Sequence, residues 1–243
     1  MTREDMTQEA YDAMLSDIME ILIEKGLKST TMDSVAASLK MSKRTLYEIF
    51  SSKTNMIDEA VAAFNKRMDR ESQKVFANSR NLVEGIIRTF KVKRDFISRV
   101  NVNYFRDMDF LFPEARKASD ESQKDSENWM IGILKRGVKE GYFNSDINFE
   151  VQVKMQSIQI ESLKRMEEFF PPGLTIIDVY DNINLSFIRG LSTHKGLDAI
   201  NETIEELDRE FHEEYYTMKK NEVDFEIWKR RIYTTKEQKL VYQ

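Results

Sequence analysis

Apolar residues recur at helical spacing along almost the whole chain. Tyr11, Met14, Leu15, Ile18 and Leu22 fall on one face and predict a first helix from about Thr7 to Lys25, with Gly26 suited to the position just past its end. Met32, Val35, Ala36 and Leu39 mark one face of a short second helix. Thr31 stands before it as a candidate N-cap, and Asp33 adds negative charge to its first turn, where the helix dipole favours it. Ser42 is the next candidate N-cap and opens a third helix that buries Leu46, Ile49 and Phe50. Only Lys40 and Met41 separate these two helices. So short a turn makes a helix-turn-helix, whose second helix can enter a DNA major groove.

The periodicity continues beyond this pair. Ser52 can cap a fourth helix with Ile57, Ala60, Val61, Phe64 and Met68 on one face, unbroken to about Asn78-Ser79. Leu82, Ile86, Ile87, Phe90, Phe96, Ile97 and Val100 predict a fifth. An aromatic-rich segment, Tyr104 to Phe112, ends at Pro113, which suits the first turn of another helix carrying Trp129, Met130, Ile133, Leu134 and Val138 and stopping at Gly141. Ile147, Phe149, Val151, Val153 and Met155 alternate like a strand. The helical spacing of Met155, Ile158, Leu163, Met166 and Phe169, with no partner strand evident, favours one helix from Phe149 to Phe170. Pro171-Pro172-Gly173 breaks it. A helix from Thr175 to Leu191 follows, apolar on more than one face and so buried on more than one face. A charged amphipathic helix then carries Leu197, Ile200, Ile204, Leu207 and Phe211. In the extension, residues 212–243, Phe225, Trp228 and Ile232 suggest one more helix beside Lys229-Arg230-Arg231. It could pack on its own dimer, fray, or touch a membrane surface or DNA.

Composition narrows the classes. Apolar residues make up 41% of the chain and charged residues 33%, a globular rather than a disordered balance. Eight glycines and three prolines are few breakers for 243 residues, which points to an all-α fold. The absence of cysteine excludes disulfides and thiol chemistry. His194 and His212 lack zinc-type spacing, no phosphate-cradling glycine loop occurs, and the carboxylates lie scattered on polar faces. No catalytic, metal or cofactor site is therefore expected. Without a membrane-length apolar run or a signal-like N-terminus, a cytoplasmic location without membrane contact is the expectation.

The net charge of −5 argues against nucleic-acid binding, but only a docking surface must be positive. Lys40, Lys43, Arg44 and Lys53 gather at the helix pair, where Glu48 is the only acid from Leu39 to Lys53. Lys43, Arg44 and Thr45 occupy the first turn after the Ser42 cap, from which base edges are reached. Arg44 can grip a guanine or hold a phosphate. A helical hairpin with an ordinary solvated charge cluster would look the same.

The run Gly26-Leu27, Thr30-Thr31-Met32, Val35-Ala36, Met41-Ser42-Lys43-Arg44-Thr45-Leu46-Tyr47, Phe50 and Ser52-Lys53 resembles the N-terminal signature of the tetracycline-repressor (TetR) family, without a gap. One departure is Arg44, where the family commonly has glycine. The resemblance implies a DNA-binding domain over residues 1–52, a helical ligand-sensing and dimerisation domain over 53–211, and an extension over 212–243. It implies that Thr31, Tyr47 and Lys53 hold DNA phosphates. It also implies a homodimeric transcriptional regulator, a repressor, bound to an inverted-repeat double-stranded DNA operator and released by a small-molecule effector. Methionines and aromatics are dense between residues 104 and 191, and Tyr104, Met108, Trp129, Met130, Met155 and Phe187 are the candidate lining of an apolar ligand pocket. The alternative is an all-helical interaction or scaffold protein that makes no DNA contact.

Overall fold

Each short helix near the N-terminus begins at a side chain that can satisfy its free amides. The computed structural model describes residues 3–219 apart from Val102, and side chains as far as residue 210 apart from that of Glu167. Helix α1 (Gln8–Lys25) starts at Thr7, whose Oγ1 accepts the Ala10 N–H at 3.2 Å. Helix α2 (Met32–Ser38) starts at Thr31 with a reciprocal capping box to Ser34, and α3 (Lys43–Ile49) starts at Ser42, which accepts the Thr45 N–H at 3.0 Å. Helices α4 (Lys53–Ala77), α5 (Leu82–Ile97), α6 (Tyr104–Leu111) and α7 (Pro113–Lys139) follow. Then come α8 (Phe149–Ser162), α9 (Met166–Phe169), α10 (Ile176–Leu191) and α11 (His194–Lys219). The expected all-α fold is borne out. Among the described residues the only extended pairing is an isolated bridge between Phe143 and Ser192.

The helices gather into two compact units. One holds residues 1–71 and 99–126, the other residues 72–98 and 127 onward. Helices α4 and α7 run through both ranges. The expected 52/53 boundary coincides with the start of α4, inside the first unit. The 211/212 boundary falls within α11, and Phe225, Trp228, Lys229-Arg230-Arg231 and Ile232 lie outside the described residues.

In the first unit, Leu22, Leu27, Leu46, Phe50, Met56 and Ile57 are fully buried. Each such side chain contributes about 1.5–3 kcal/mol by leaving water. Tyr11 stacks on Phe50 with ring centroids 6.0 Å apart, and its hydroxyl donates to Glu59. These contacts tie α1 to the residue after α3 and to α4.

The second unit is built on α5, α8, α10, α11 and the second half of α7. Leu82, Ile86, Leu134, Phe143, Ile188, Leu191 and Ile200 form its centre. Gly141 ends α7 at φ 79°, its N–H reaching the Val138 carbonyl at 3.0 Å while Tyr142 reaches Gly137 at 2.9 Å. That is a Schellman turn, with glycine in the left-handed position. The helix expected from Phe149 to Phe170 is not continuous. It tightens to a 3₁₀ turn at Leu163–Arg165 before α9, with Arg165 at φ −129°, ψ 45°. Leu163 is buried there with Ile97, Ile177 and Tyr180, so burial of one side chain overrides helical regularity.

Helix α8 explains its strand-like alternation. Phe149 and Val153 are buried in the core, while Val151, Met155 and Ile158 form an outward stripe, 49%, 51% and 61% exposed. Two apolar faces on one helix read as alternation in the sequence.

Candidate nucleic-acid interface

The turn between α2 and α3 is set by backbone bonds. The Lys40 N–H reaches the Ala37 carbonyl at 3.2 Å, and Met41 reaches Ala36 at 2.9 Å. This too is a Schellman turn, but its left-handed position holds Lys40 at φ 55° instead of glycine. The turn delivers Ser42 as the cap of α3 and orients the three residues behind it.

Those residues differ in what they offer. Arg44 has a side chain 90% exposed, with Nε 3.0 Å from Glu48 Oε1 one turn on. The Arg44 guanidinium holds the Glu48 carboxyl below its ordinary range. Lys43 is also exposed and pairs with Asp33, which raises the affinity of its amine for its proton. Thr45 is half-buried, and its hydroxyl lies 2.8 Å from Ser42 Oγ, so it is already engaged. Tyr47 is 47% exposed on the same short helix. The Thr31 hydroxyl is exposed but accepts the Ser34 N–H at 3.1 Å. The surface therefore offers cations, a phenol and hydroxyls to a polyanion, with two of the cations held by nearby acids.

Lys53, the first residue of α4, turns inward. Its Nζ donates to the Lys28 carbonyl at 2.9 Å and lies 5.9 Å from the centroid of the Phe112 ring. Burial makes its ammonium easier to deprotonate, and the nearby charge of Asp107 opposes that. Sequence reasoning missed Asp107. The available signal was an acid on the apolar face of α6, flanked by Tyr104 and Met108.

The candidate ligand residues divide between the two units. Tyr104 and Met108 are buried in the first; the Tyr104 ring stands edge-on to Phe105, and Ser119 Oγ lies 3.5 Å from Met108 Sδ. Trp129, Met130, Met155 and Phe187 belong to the second. Met130 and Phe187 are core residues, and Trp129 packs edge-on against Phe76 at 5.0 Å. Met155 and Phe187 also line an open groove of about 470 Å³ between α8 and α10, with Phe170, Leu174, Val179 and Ile183. A separate cleft of about 620 Å³ between α1 and α4 mixes Asp12, Glu59 and Asp69 with Lys66, Arg67 and Arg70, and so favours neither sign of charge. Among the described residues no group of three or more acids and histidines could hold a metal ion, and no helix is long and apolar enough to cross a membrane.

Residues 14–60 match the family model for bacterial regulatory proteins, tetR family. A proposed transcriptional regulator from Saccharomonospora viridis, solved with choline, is 15% identical with a TM-score of 0.63, over 77% of this chain and 100% of that one. The TetR family regulator PfmR from Thermus thermophilus is 21% identical with a TM-score of 0.51, over 74% and 99%. The regulator FadR from Bacillus subtilis, solved with stearoyl-CoA, is 13% identical with a TM-score of 0.55, over 74% and 99%. At these identities the likeness is one of fold. No curated protein matches the chain significantly in sequence.

Proposed function

We propose, from the premise that this chain is a member of the tetR family of DNA-binding transcriptional regulators through its residues 14–60, that it acts as a homodimeric repressor in the cytoplasm. Its target is an inverted-repeat operator, and a small apolar or amphipathic ligand releases it. The observation that carries the DNA reading is the capped helix α3, set by a two-residue turn, with Lys43, Arg44 and Tyr47 on its exposed side. The outward stripe of α8 supports the dimer. Val151, Met155 and Ile158 are exposed, Met155 at the wall of the α8–α10 groove, and a symmetry mate would bury them in a four-helix seam. A symmetric dimer presents its two recognition helices about 34–36 Å apart, one DNA turn, and so reads an inverted repeat.

The effector reading is supported by the fold neighbours solved with choline and with stearoyl-CoA. Of its candidate contacts we keep those of the second unit, Trp129, Met130 and Phe187, and give Met155 to the dimer seam. Such a ligand relieves repression only by preferring the dimer state that does not fit DNA.

Binding of the full-length chain to duplex from its own upstream region, followed across a potassium chloride series, tests the DNA reading. The expected result is affinity that falls steeply and linearly on logarithmic axes, with a protected inverted repeat. Binding that is absent, or indifferent to salt, overturns it in favour of a scaffold.

A further inference from the structure

Asp107 is a carboxylate in a place built for an apolar side chain. It is 7% exposed on α6, next to Met108 at 4% and three residues after Tyr104 at 2%. Its Oδ2 accepts the backbone N–H of Lys28 at 2.9 Å, from the turn between α1 and α2. The carbonyl of the same Lys28 accepts from Lys53 Nζ at 2.9 Å. One residue, Lys28, thus joins the α6 carboxylate on its amide side to the first residue of α4 on its carbonyl side. Phe112, the residue after α6, lies beneath the same ammonium.

Neighbouring contacts hold the end of α1, which leads into this turn. The Asn101 N–H reaches the Ile23 carbonyl at 2.9 Å, and Arg99 Nη1 lies 2.6 Å from Glu20 Oε2. The segment 99–112 therefore grips the end of α1 and the turn after it. A buried carboxylate is costly unless its oxygens are bonded, and an apolar residue would fill the site without that cost. An acceptor for the Lys28 amide is the property that leucine or methionine could not supply.

We propose that Asp107 is a positioning residue for DNA binding: by fixing Lys28 it holds the carbonyl that aims the Lys53 ammonium at a DNA phosphate. The inference rests on the DNA-binding reading above. An ammonium carries three N–H donors, of which the Lys28 carbonyl takes one, leaving donors for phosphate oxygens. Lysine is a flexible cation, so an anchor at its tip removes the disorder that weakens a phosphate contact. The Asp107 charge also opposes the loss of the Lys53 proton that burial favours.

The test uses the full-length chain and a fluorescent random-sequence duplex, titrated across a potassium chloride series. Lys53→Ala is expected to lower the salt slope by about one unit. Asp107→Ala, which removes no cation, should lower it similarly, and the double variant should be no weaker than Lys53→Ala alone. Asp107→Asn, whose amide oxygen can still accept from Lys28, should restore most of the slope. If Asp107→Ala does not fold, Asp107→Glu, with the charge kept and the arm lengthened, is read instead and should lose part of the slope. An unchanged slope in a folded Asp107→Ala or Asp107→Glu variant, or additive losses in the double variant, overturns the inference alone. A wild-type chain without salt-dependent binding overturns the DNA reading and this inference with it.

Discussion

Lys43 Nζ stands 2.7 Å from Asp33 Oδ1, joining the first turn of α3 to the first turn of α2. Asp33 thus serves α2 at its positive end while neutralising a cation on the surface assigned to DNA. Asp33→Asn is expected to tighten binding to any duplex several-fold and to steepen the salt slope by up to about one unit, because Lys43 becomes available to phosphate. Anisotropy titrations on operator and random duplex measure both. Weaker binding to both would mean that the salt bridge orients Lys43 instead of restraining it.

Lys40 occupies the left-handed position of the α2–α3 turn at φ 55°. A side chain there costs about 1 kcal/mol relative to glycine. Lys40→Gly should therefore raise the stability of the chain by about that amount in urea unfolding. Lys40→Ala keeps the backbone strain and should give no such gain. Equal effects of the two would point to the lost charge, not the backbone.

Arg44 has the most exposed side chain of the α3 cations, where the family that the chain resembles commonly has glycine. Arg44→Gly, assayed against a library of half-site variants, should relax preference at one guanine, by about 1–3 kcal/mol of lost discrimination. An equal loss on every sequence would assign Arg44 to the DNA backbone.

Ile158 is 61% exposed, the most exposed residue of the outward stripe of α8. Ile158→Glu would bury a carboxylate at the seam of the proposed dimer, and should yield monomers by sedimentation at micromolar concentration without loss of helicity. A dimer that survives this substitution is held together elsewhere.

Glu84 is buried in the second unit and accepts from both Arg80 Nε and Arg88 Nε at 2.8 Å. Burial raises its affinity for a proton, but the hydrogen bonds from Arg80 and Arg88 outweigh this and hold the carboxyl below its ordinary range. A depressed acid stabilises the fold above its unfolded pKa, and that contribution is lost as pH falls through the folded one. Glu84→Gln should cost about 1–3 kcal/mol at neutral pH. The deficit should shrink as pH drops below about 4, the ordinary glutamate range, because wild type then loses the same charge. Thermal melts of the two proteins at several pH values follow it; a deficit independent of pH would assign the cost to packing.

Local signals in the chain determined the N-terminal fold. Thr31, Ser42 and Ser52 each accept from a backbone amide three residues on, because a cap needs only a hydroxyl a few residues from the amides it satisfies. The buried faces of α1, α2 and α3 were legible from spacing for the same reason. So were the family resemblance and the positions of Lys43, Arg44 and Tyr47, since a short helix with one apolar face leaves the others outward.

What the sequence left open depends on residues far apart in the chain. The alternation at 147–155 reads as a strand until the core claims Phe149 and Val153 and leaves Val151, Met155 and Ile158 outside. The helix beyond Ser162 breaks because Leu163 is drawn among Ile97, Ile177 and Tyr180, and periodicity carries no record of that demand. Aromatic and methionine density could not say that Tyr104 and Met108 belong to one unit and Trp129, Met130, Met155 and Phe187 to another, because composition does not record which helices meet. Lys53 reads as one more exposed cation beside a helix-turn-helix. Only folding brings the Lys28 carbonyl, the Phe112 ring and, through the Lys28 amide, Asp107 around it, because a hydrogen bond across 79 residues of chain exists only once α6 has packed against the end of α1.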